Sequence, residues 1–207
     1  MHAVEIDVWS DYVCPFCCLV GPAVERIQAE FGDRLRLRWR AFELRPEPQP
    51  SLDEQRERFR GLFDRGIVPR ARELGLVMRF PERHPRTRRA HELSAFARTQ
   101  GRAGALHGLL MREFWEHGRD LGEVDLLVEL AVRAGLEADD ARAVFAMQSQ
   151  VEEVLADETE AVHLGLSGVP AILVRPAKGL ITEAEVIEGA QPYEMIRAVI
   201  DTVLDRH

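Results

Sequence analysis

Two cysteines spaced as Cys14-Pro15-Phe16-Cys17, directly after an alternating apolar run and directly before an amphipathic one, constrain this chain more than any other feature. Val4, Ile6 and Val8 alternate with Glu5, Asp7 and Trp9, the period-two pattern of a strand. From Pro15 onward, Leu19, Val20, Ala23, Val24, Ile27 and Phe31 recur at three- and four-residue spacing, a helix that Gly32 can close. The cysteines thus fall at a strand-to-helix turn, in the first helical turn. There the unpaired backbone N–H groups and the helix dipole favour negative charge. Pro15 suits the first helical position, which has no use for its missing N–H. Cys14, nearer the helix start, is expected to be the more acidic and more exposed thiol of the pair. Reactive thiols in such settings have pKa values of roughly 3.5 to 7.5, against about 8.5 for a free cysteine. Cys17, one turn further on, can form a disulfide with Cys14 and release a bound partner. The chemistry implied is that of a redox dithiol.

Two other readings use the same spacing. A structural zinc site needs four ligands. The third cysteine, Cys18, adjoins Cys17 and points elsewhere on a helix, and His84, His107, His117 and His163 show no ligand spacing, so no metal is expected. A structural disulfide closing a four-residue loop removes little chain entropy. Cys18 itself reads as a small buried or half-buried thiol. Asp11, three residues before Cys14, reads as a turn residue whose carboxylate would raise the thiol's pKa if close to it.

The rest of the chain divides by periodicity. Arg34 to Arg40 alternates strictly, with Leu35, Leu37 and Trp39 on one face, and completes a βαβ unit. Its catalytic turn would lie at the carboxyl end of the first strand, where open α/β sheets place their sites. Arg45-Pro46-Glu47-Pro48-Gln49-Pro50 is a stiff breaker. Helical patterns follow over 52–66, 69–74, 88–100, 104–116, 123–134 and 138–164, punctuated by glycines at 101, 118, 122 and 135. This block is too long to be a loop. Beyond Gly165, Val169-Pro170 leads into a short β-rich run, Ala171–Val174, and a tight Gly-x-Pro turn of this kind can hold a cis bond. A last strand over 185–188 and a closing helix from Gln191 end the pattern. The expected organisation is a discontinuous α/β domain over 1–50 and 165–207, interrupted by a helical domain over 51–164.

At 207 residues and a net charge of −8 the chain is long enough to bury roughly 70% of its unfolded surface. Its acidity argues against general nucleic-acid binding, which needs surplus positive charge. The arginines from Arg83 to Arg89 read as a solvated helix entrance. The N-terminal residues show no secretory leader and no run of 18 apolar residues, so neither export nor membrane insertion is expected. Three cysteines in that context suggest a reducing, cytoplasmic setting, in which a dithiol is catalytic more often than structural. Nothing in the sequence sets an oligomeric state.

The fold these patterns add up to resembles a thioredoxin fold with a large all-helical insertion, the organisation of the DsbA family. Asp11-Tyr12-Val13-Cys14-Pro15-Phe16-Cys17 is similar to the Asp-x-x-Cys-Pro-Trp-Cys signature of the FrnE-like branch. Leu164-Gly165-Leu166-Ser167-Gly168-Val169-Pro170 resembles that branch's segment around its cis-proline, and Gly189-Ala190-Gln191-Pro192 its closing segment. Phe16 replaces the usual tryptophan, Cys18 stands where an aromatic is common, and Arg86 where asparagine often precedes the Thr-x-x-Ala-His run.

The resemblance implies a thiol–disulfide oxidoreductase acting on protein or small-thiol disulfides, with Cys14 as nucleophile and Cys17 as resolving thiol. Pro15, Phe16, Val169 and the cis-proline Pro170 would face the substrate, which could pair with the Val169 backbone as a short strand. His91 either packs at the interface between the two halves or, by resemblance, lines a groove opposite Cys14. The same family also includes 2-hydroxychromene-2-carboxylate isomerases and kappa-class glutathione transferases, which need no resolving cysteine. A glutathione-dependent isomerase or transferase is therefore the alternative. No cofactor is implied beyond glutathione as a co-substrate.

Overall fold

The computed structural model describes residues 2–49 and 56–206. Strand β1 (Val4–Ser10) is buried along its whole length and lies inside a four-stranded mixed sheet. Strand β2 (Leu35–Ala41) runs parallel to it, with Val4 beside Leu35 and Ser10 beside Ala41. On the other side β3 (Ala171–Pro176) is antiparallel, with Trp9 beside Ala171, and β4 (Glu185–Glu188) pairs antiparallel with β3. The order is β2-β1-β3-β4.

That register turns the alternation of the sequence into two chemically different faces. Val4, Ile6, Val8, Ile172, Val174 and Ile187 form one core with helix α1 (Pro15–Phe31) and the closing helix α9 (Tyr193–Asp205). On the opposite face Glu5 and Asp7 stand beside Arg36 and Arg38. Asp7 accepts two hydrogen bonds from the Arg38 guanidinium, at 2.5 and 2.6 Å. Glu5 faces Arg36 at 3.5 Å, Arg38 at 3.9 Å and Arg175 at contact distance. Buried carboxylates are tolerable here because each meets a guanidinium.

Between β2 and β3 the described chain is helical: α2 (Arg56–Leu62), a π turn over Phe63–Ile67, α3 (Val68–Glu73), α4 (Arg88–Thr99), α5 (Ala103–Trp115), α6 (Val124–Arg133), α7 (Ala138–Met147) and α8 (Val151–His163). Leu93, Leu106, Leu110, Phe114, Leu127 and Leu130 build a second core, and Tyr12, Val13, Cys14, Cys17 and Leu19 belong to it. The strand-to-helix turn is therefore packed by the helical block. The architecture is the expected thioredoxin fold interrupted by helices.

The sequence pattern predicts one helix over 138–164, and the structure has two. Gln148 closes α7 in the left-handed region at φ 50°, and the Ser149 N–H reaches back to the Val144 carbonyl at 3.2 Å. No glycine or proline marks that reversal. Pro50, residues 52–55 of the first predicted helix and the expected boundary between 50 and 51 lie outside the described residues.

Asp157 of α8 joins the block to the sheet. Its carboxylate takes the Arg40 guanidinium, the Ala41 N–H at 3.0 Å and Arg98 of α4 at 3.2 Å. Its carbonyl accepts the Trp9 indole N–H at 2.9 Å. No helix among the described residues is long and apolar enough to cross a membrane.

Candidate active site

The end of β1 and the start of α1 place the two cysteines one helical turn apart. Cys14 is the N-cap residue, in extended conformation, and Pro15 occupies the first turn. The Cys17 and Cys18 N–H groups both point at the Cys14 carbonyl, at 3.1 and 3.3 Å. All three cysteines are free thiols. Cys14 is 3% exposed and Cys17 0%, so both are buried, with Cys14 marginally the more open. The cover over Cys14 comes from the segment before β3: its thiol donates to the Val169 carbonyl at 3.4 Å. The Val169–Pro170 peptide bond is cis. Pro170 is buried and Val169 half-buried, while Phe16, between the cysteines, is 43% exposed.

The two thiols differ sharply in acidity. The Cys17 side chain hydrogen-bonds the Cys14 sulfur and, with the backbone N–H groups of Cys17 and Phe16, holds its pKa below that of an ordinary thiol. Burial and the Asp11 carboxylate push the other way. Cys17 is pushed well up by burial, by its bond to Cys14 and by the Cys14 charge. The Asp11 N–H and the Ser10 hydroxyl partly offset this. Cys18 is driven up to about 12, chiefly by burial, and stays a thiol. One nucleophile and one protonated partner is the state a dithiol needs before attack.

Behind the turn lies a buried polar cluster. Asp11 fixes the chain after β2, its Oδ2 accepting the Leu44 N–H at 2.7 Å, while its Oδ1 stands 3.4 Å from His91 Nε2. The Tyr12 ring lies 4.9 Å from His91 and 5.4 Å from His107, and its hydroxyl meets Ser94 Oγ at 2.5 Å. His107 stacks on Trp39 of β2 at 3.6 Å. His91 is thus packed under the turn between the sheet half and the helices, away from any open face. Arg86, the departure before the Thr-x-x-Ala-His run, donates to the Arg45 and Gln49 carbonyls, both at 2.5 Å, and ties down the segment after β2. Among the described residues no group of three or more His, Cys, Asp or Glu side chains is placed to hold a metal ion.

Of the residues singled out by the sequence, Cys14, Pro15, Phe16 and Cys17 lie together at the head of α1, Val169 and Pro170 adjoin Cys14, and His91 lies behind Asp11; Ser10, Tyr12 and His107 carry no such signal in the sequence. The only trace of His107 was a histidine inside the apolar run Leu106–Met111 of α5.

The sequence matches the DSBA-like thioredoxin domain over residues 5–201. The chain belongs to that family. An uncharacterized Bacillus subtilis protein, YwbO, is 34% identical to this DSBA-like chain over 137 residues, 65% of this chain and 68% of that one. A probable DsbA oxidoreductase from Streptomyces coelicolor is 29% identical and superposes with a TM-score of 0.82, over 99% of this chain and 91% of that one. The DSBA-like fold is also that of a 2-hydroxychromene-2-carboxylate isomerase, 16% identical with a TM-score of 0.77 over 98% and 97% of the two chains. At that identity the likeness concerns the fold alone.

Proposed function

We propose that the protein is a dithiol–disulfide oxidoreductase of the FrnE-like kind, working in a reducing compartment. Cys14 is its nucleophile and Cys17 its resolving thiol. The observation that carries this reading is the geometry at the head of α1: Cys14 caps the helix with its sulfur against the Val169 carbonyl, beside the cis Val169–Pro170 bond, and Cys17 stands buried one turn further on. The Cys14 thiolate attacks one sulfur of a substrate disulfide, the other sulfur leaves as a thiolate, and a mixed disulfide remains. Cys17 then attacks Cys14, forming the internal disulfide and releasing the second substrate thiol. The reverse sequence oxidises a dithiol.

The substrate is a protein or small-thiol disulfide presented across Pro15, the exposed Phe16 ring and the Val169–Pro170 segment. Among the described residues no backbone group bonds to the Val169 N–H, which leaves it open to an extended chain. Docking would have to displace the Cys14 contact with the Val169 carbonyl. Glutathione fits the same role as a co-substrate. In this reading residues 1–50 and 165–207 form the redox domain, and 51–164 the helical domain that covers it.

The test is a redox titration in glutathione buffers, with alkylation and mass readout, of the wild type beside Cys14→Ser and Cys17→Ser. The expected result is one two-electron transition in the wild type, lost in both variants. A stable glutathione adduct on Cys14 that Cys17 never displaces would defeat the dithiol reading and favour a glutathione-dependent isomerase or transferase.

A further inference from the structure

The resolving thiol has to lose a proton in a place where no carboxylate or imidazole is in direct contact with it. Cys17 is fully buried and its thiol is far from titrating. Its polar neighbours are the Cys14 sulfur, the Asp11 N–H and the Ser10 hydroxyl. Once the Cys14 sulfur is in a mixed disulfide it carries no proton, and the hydroxyl is then the one of these that can both accept and donate. Ser10 Oγ lies close enough to the sulfur to stabilise its thiolate, yet it reaches no partner at full hydrogen-bond geometry.

Ser10 also lines a small cavity. A cavity of about 10 Å³ is lined by Ser10, Tyr12, Trp39, His91, Ser94 and His107, together with the ion-paired Arg40, Arg98 and Asp157. A space of roughly 10–15 Å³ on this measure holds one water, provided polar partners surround it. Three such atoms are present. Ser10 Oγ, His91 Nε2 and His107 Nε2 are all buried, at 4%, 4% and 6% residue exposure, and none has a hydrogen-bond partner among the described side chains. Buried polar atoms without partners are rare and costly, and three around one water-sized space form a built site.

We propose that this cavity holds a single water, bound by Ser10, His91 and His107, and that Ser10 and this water carry the Cys17 proton to His91. The proposal rests on the dithiol reading given above. In the resolving step the Cys14–substrate S–S bond breaks and its electron pair leaves with the substrate thiolate. A new S–S bond forms between Cys17 and Cys14. The proton of Cys17 passes to the Ser10 oxygen, Ser10 passes its own to the water, and the water passes one to the His91 imidazole.

The groups around His91 favour it as the terminus. From the turn after β1 come the Asp11 carboxylate, 3.4 Å away, and the Tyr12 ring. Glu43, on the segment after β2, also acts on His91 electrostatically and is itself paired with Arg88 at 2.5 Å. His107 of α5 faces it across Tyr12. Of the two imidazoles that line the cavity, His91 is the one with a carboxylate beside it. His107 has no carboxylate in contact, and burial holds it neutral down to about pH 3, so it anchors the water and takes no proton. His91 acts on Cys17 only through Ser10 and the water, as a positioning residue.

The experiment uses 5,5′-dithiobis(2-nitrobenzoate) in a single-turnover stopped-flow measurement on the reduced protein. The first nitrothiobenzoate released reports attack by Cys14, the second reports resolution by Cys17. Ser10→Ala and His91→Gln are compared with wild type from pH 6 to 9. We expect the second phase to slow about tenfold or more at pH 7 in both variants, below the 10²-fold or greater effect of a general base in direct contact. Its rate should then climb with hydroxide concentration, and the first phase should change less than about threefold. A second phase unaffected in Ser10→Ala overturns the proposal. Parallel slowing of both phases, which lost packing would produce, overturns it too. Failure of the wild type to release a second equivalent is distinguishable from both, because it removes the dithiol reading itself.

Discussion

Phe16 lies between the cysteines, largely uncovered, and contributes one N–H to the Cys14 sulfur without any side-chain charge. Replacing it tests how the potential is set. In Phe16→His an imidazolium beside the Cys14 sulfur favours the thiolate, lowers its pKa and stabilises the reduced form. Each pKa unit is about 1.4 kcal/mol, equal to about 30 mV for a two-electron couple, so the variant should be more oxidising by about that amount per unit. The wild type, lacking the charge, should lie well below the roughly −120 mV of DsbA, and a value above about −180 mV would contradict the argument. Thiolate absorbance against pH gives the pKa and glutathione equilibrium gives the potential. This part of the site was legible in the sequence, because helix polarity orders the two thiols wherever the turn sits. The cluster behind them was not. Asp11, His91 and His107 lie on three separate elements, far apart in the chain, and no local period announces that they meet under one turn.

Helix α5 meets strand β2 through His107 stacked on Trp39, and the histidine gives that contact a pH dependence. Burial, with His91 nearby, lowers its pKa from an ordinary 6.5 to about 3. A group depressed on folding contributes stability that is complete above the unfolded pKa and is lost as pH falls toward the folded one. The window here is pH 6.5 down to about 3, and the full shift corresponds to up to about 5 kcal/mol. In His107→Phe a ring remains against Trp39 and the proton is removed from the balance. Urea midpoints at pH 7, 5 and 4 should then fall less steeply in the variant than in the wild type. Parallel slopes would show that His107 is not a source of the acid sensitivity. Elements with a clean period were readable: β1, α1 and α9 carry theirs openly. The α7–α8 reversal was not, because Gln148 adopts the left-handed conformation without the glycine that usually advertises it, and the apolar spacing of 138–164 continues across it.

The two largest cores of the molecule lie one on the sheet with α1 and α9 and one within the helices, and the dithiol belongs to the second while being carried by the first. Redox geometry therefore depends on how firmly the two are joined. Asp157 spans that junction, meeting Arg40 and the Ala41 N–H from β2, the Trp9 indole from β1 and Arg98 from α4. Sequence periodicity could announce a sheet half and a helical half. It could not show that an acidic residue on α8 would be buried between them, since Asp157 sits among other acids in a helix that reads as amphipathic. Removing one partner from a buried ion pair costs roughly 3–5 kcal/mol. Arg40 keeps Glu160 and the more distant Asp7, at 3.6 Å, so the loss in Asp157→Ala should fall at the low end, about 3 kcal/mol. For a chain of this size that lowers Tm by about 6–12 °C. Asp157→Asn, which retains an acceptor for the Ala41 N–H and gives up only the charge, should fall between alanine and wild type. Far-UV circular dichroism melts of the reduced proteins decide it. If Asp157→Ala melts within about 2 °C of the wild type, the contacts converging on α8 are not what joins the halves, and the apolar packing of Tyr12, Val13 and Leu19 into the helical core must carry the connection instead.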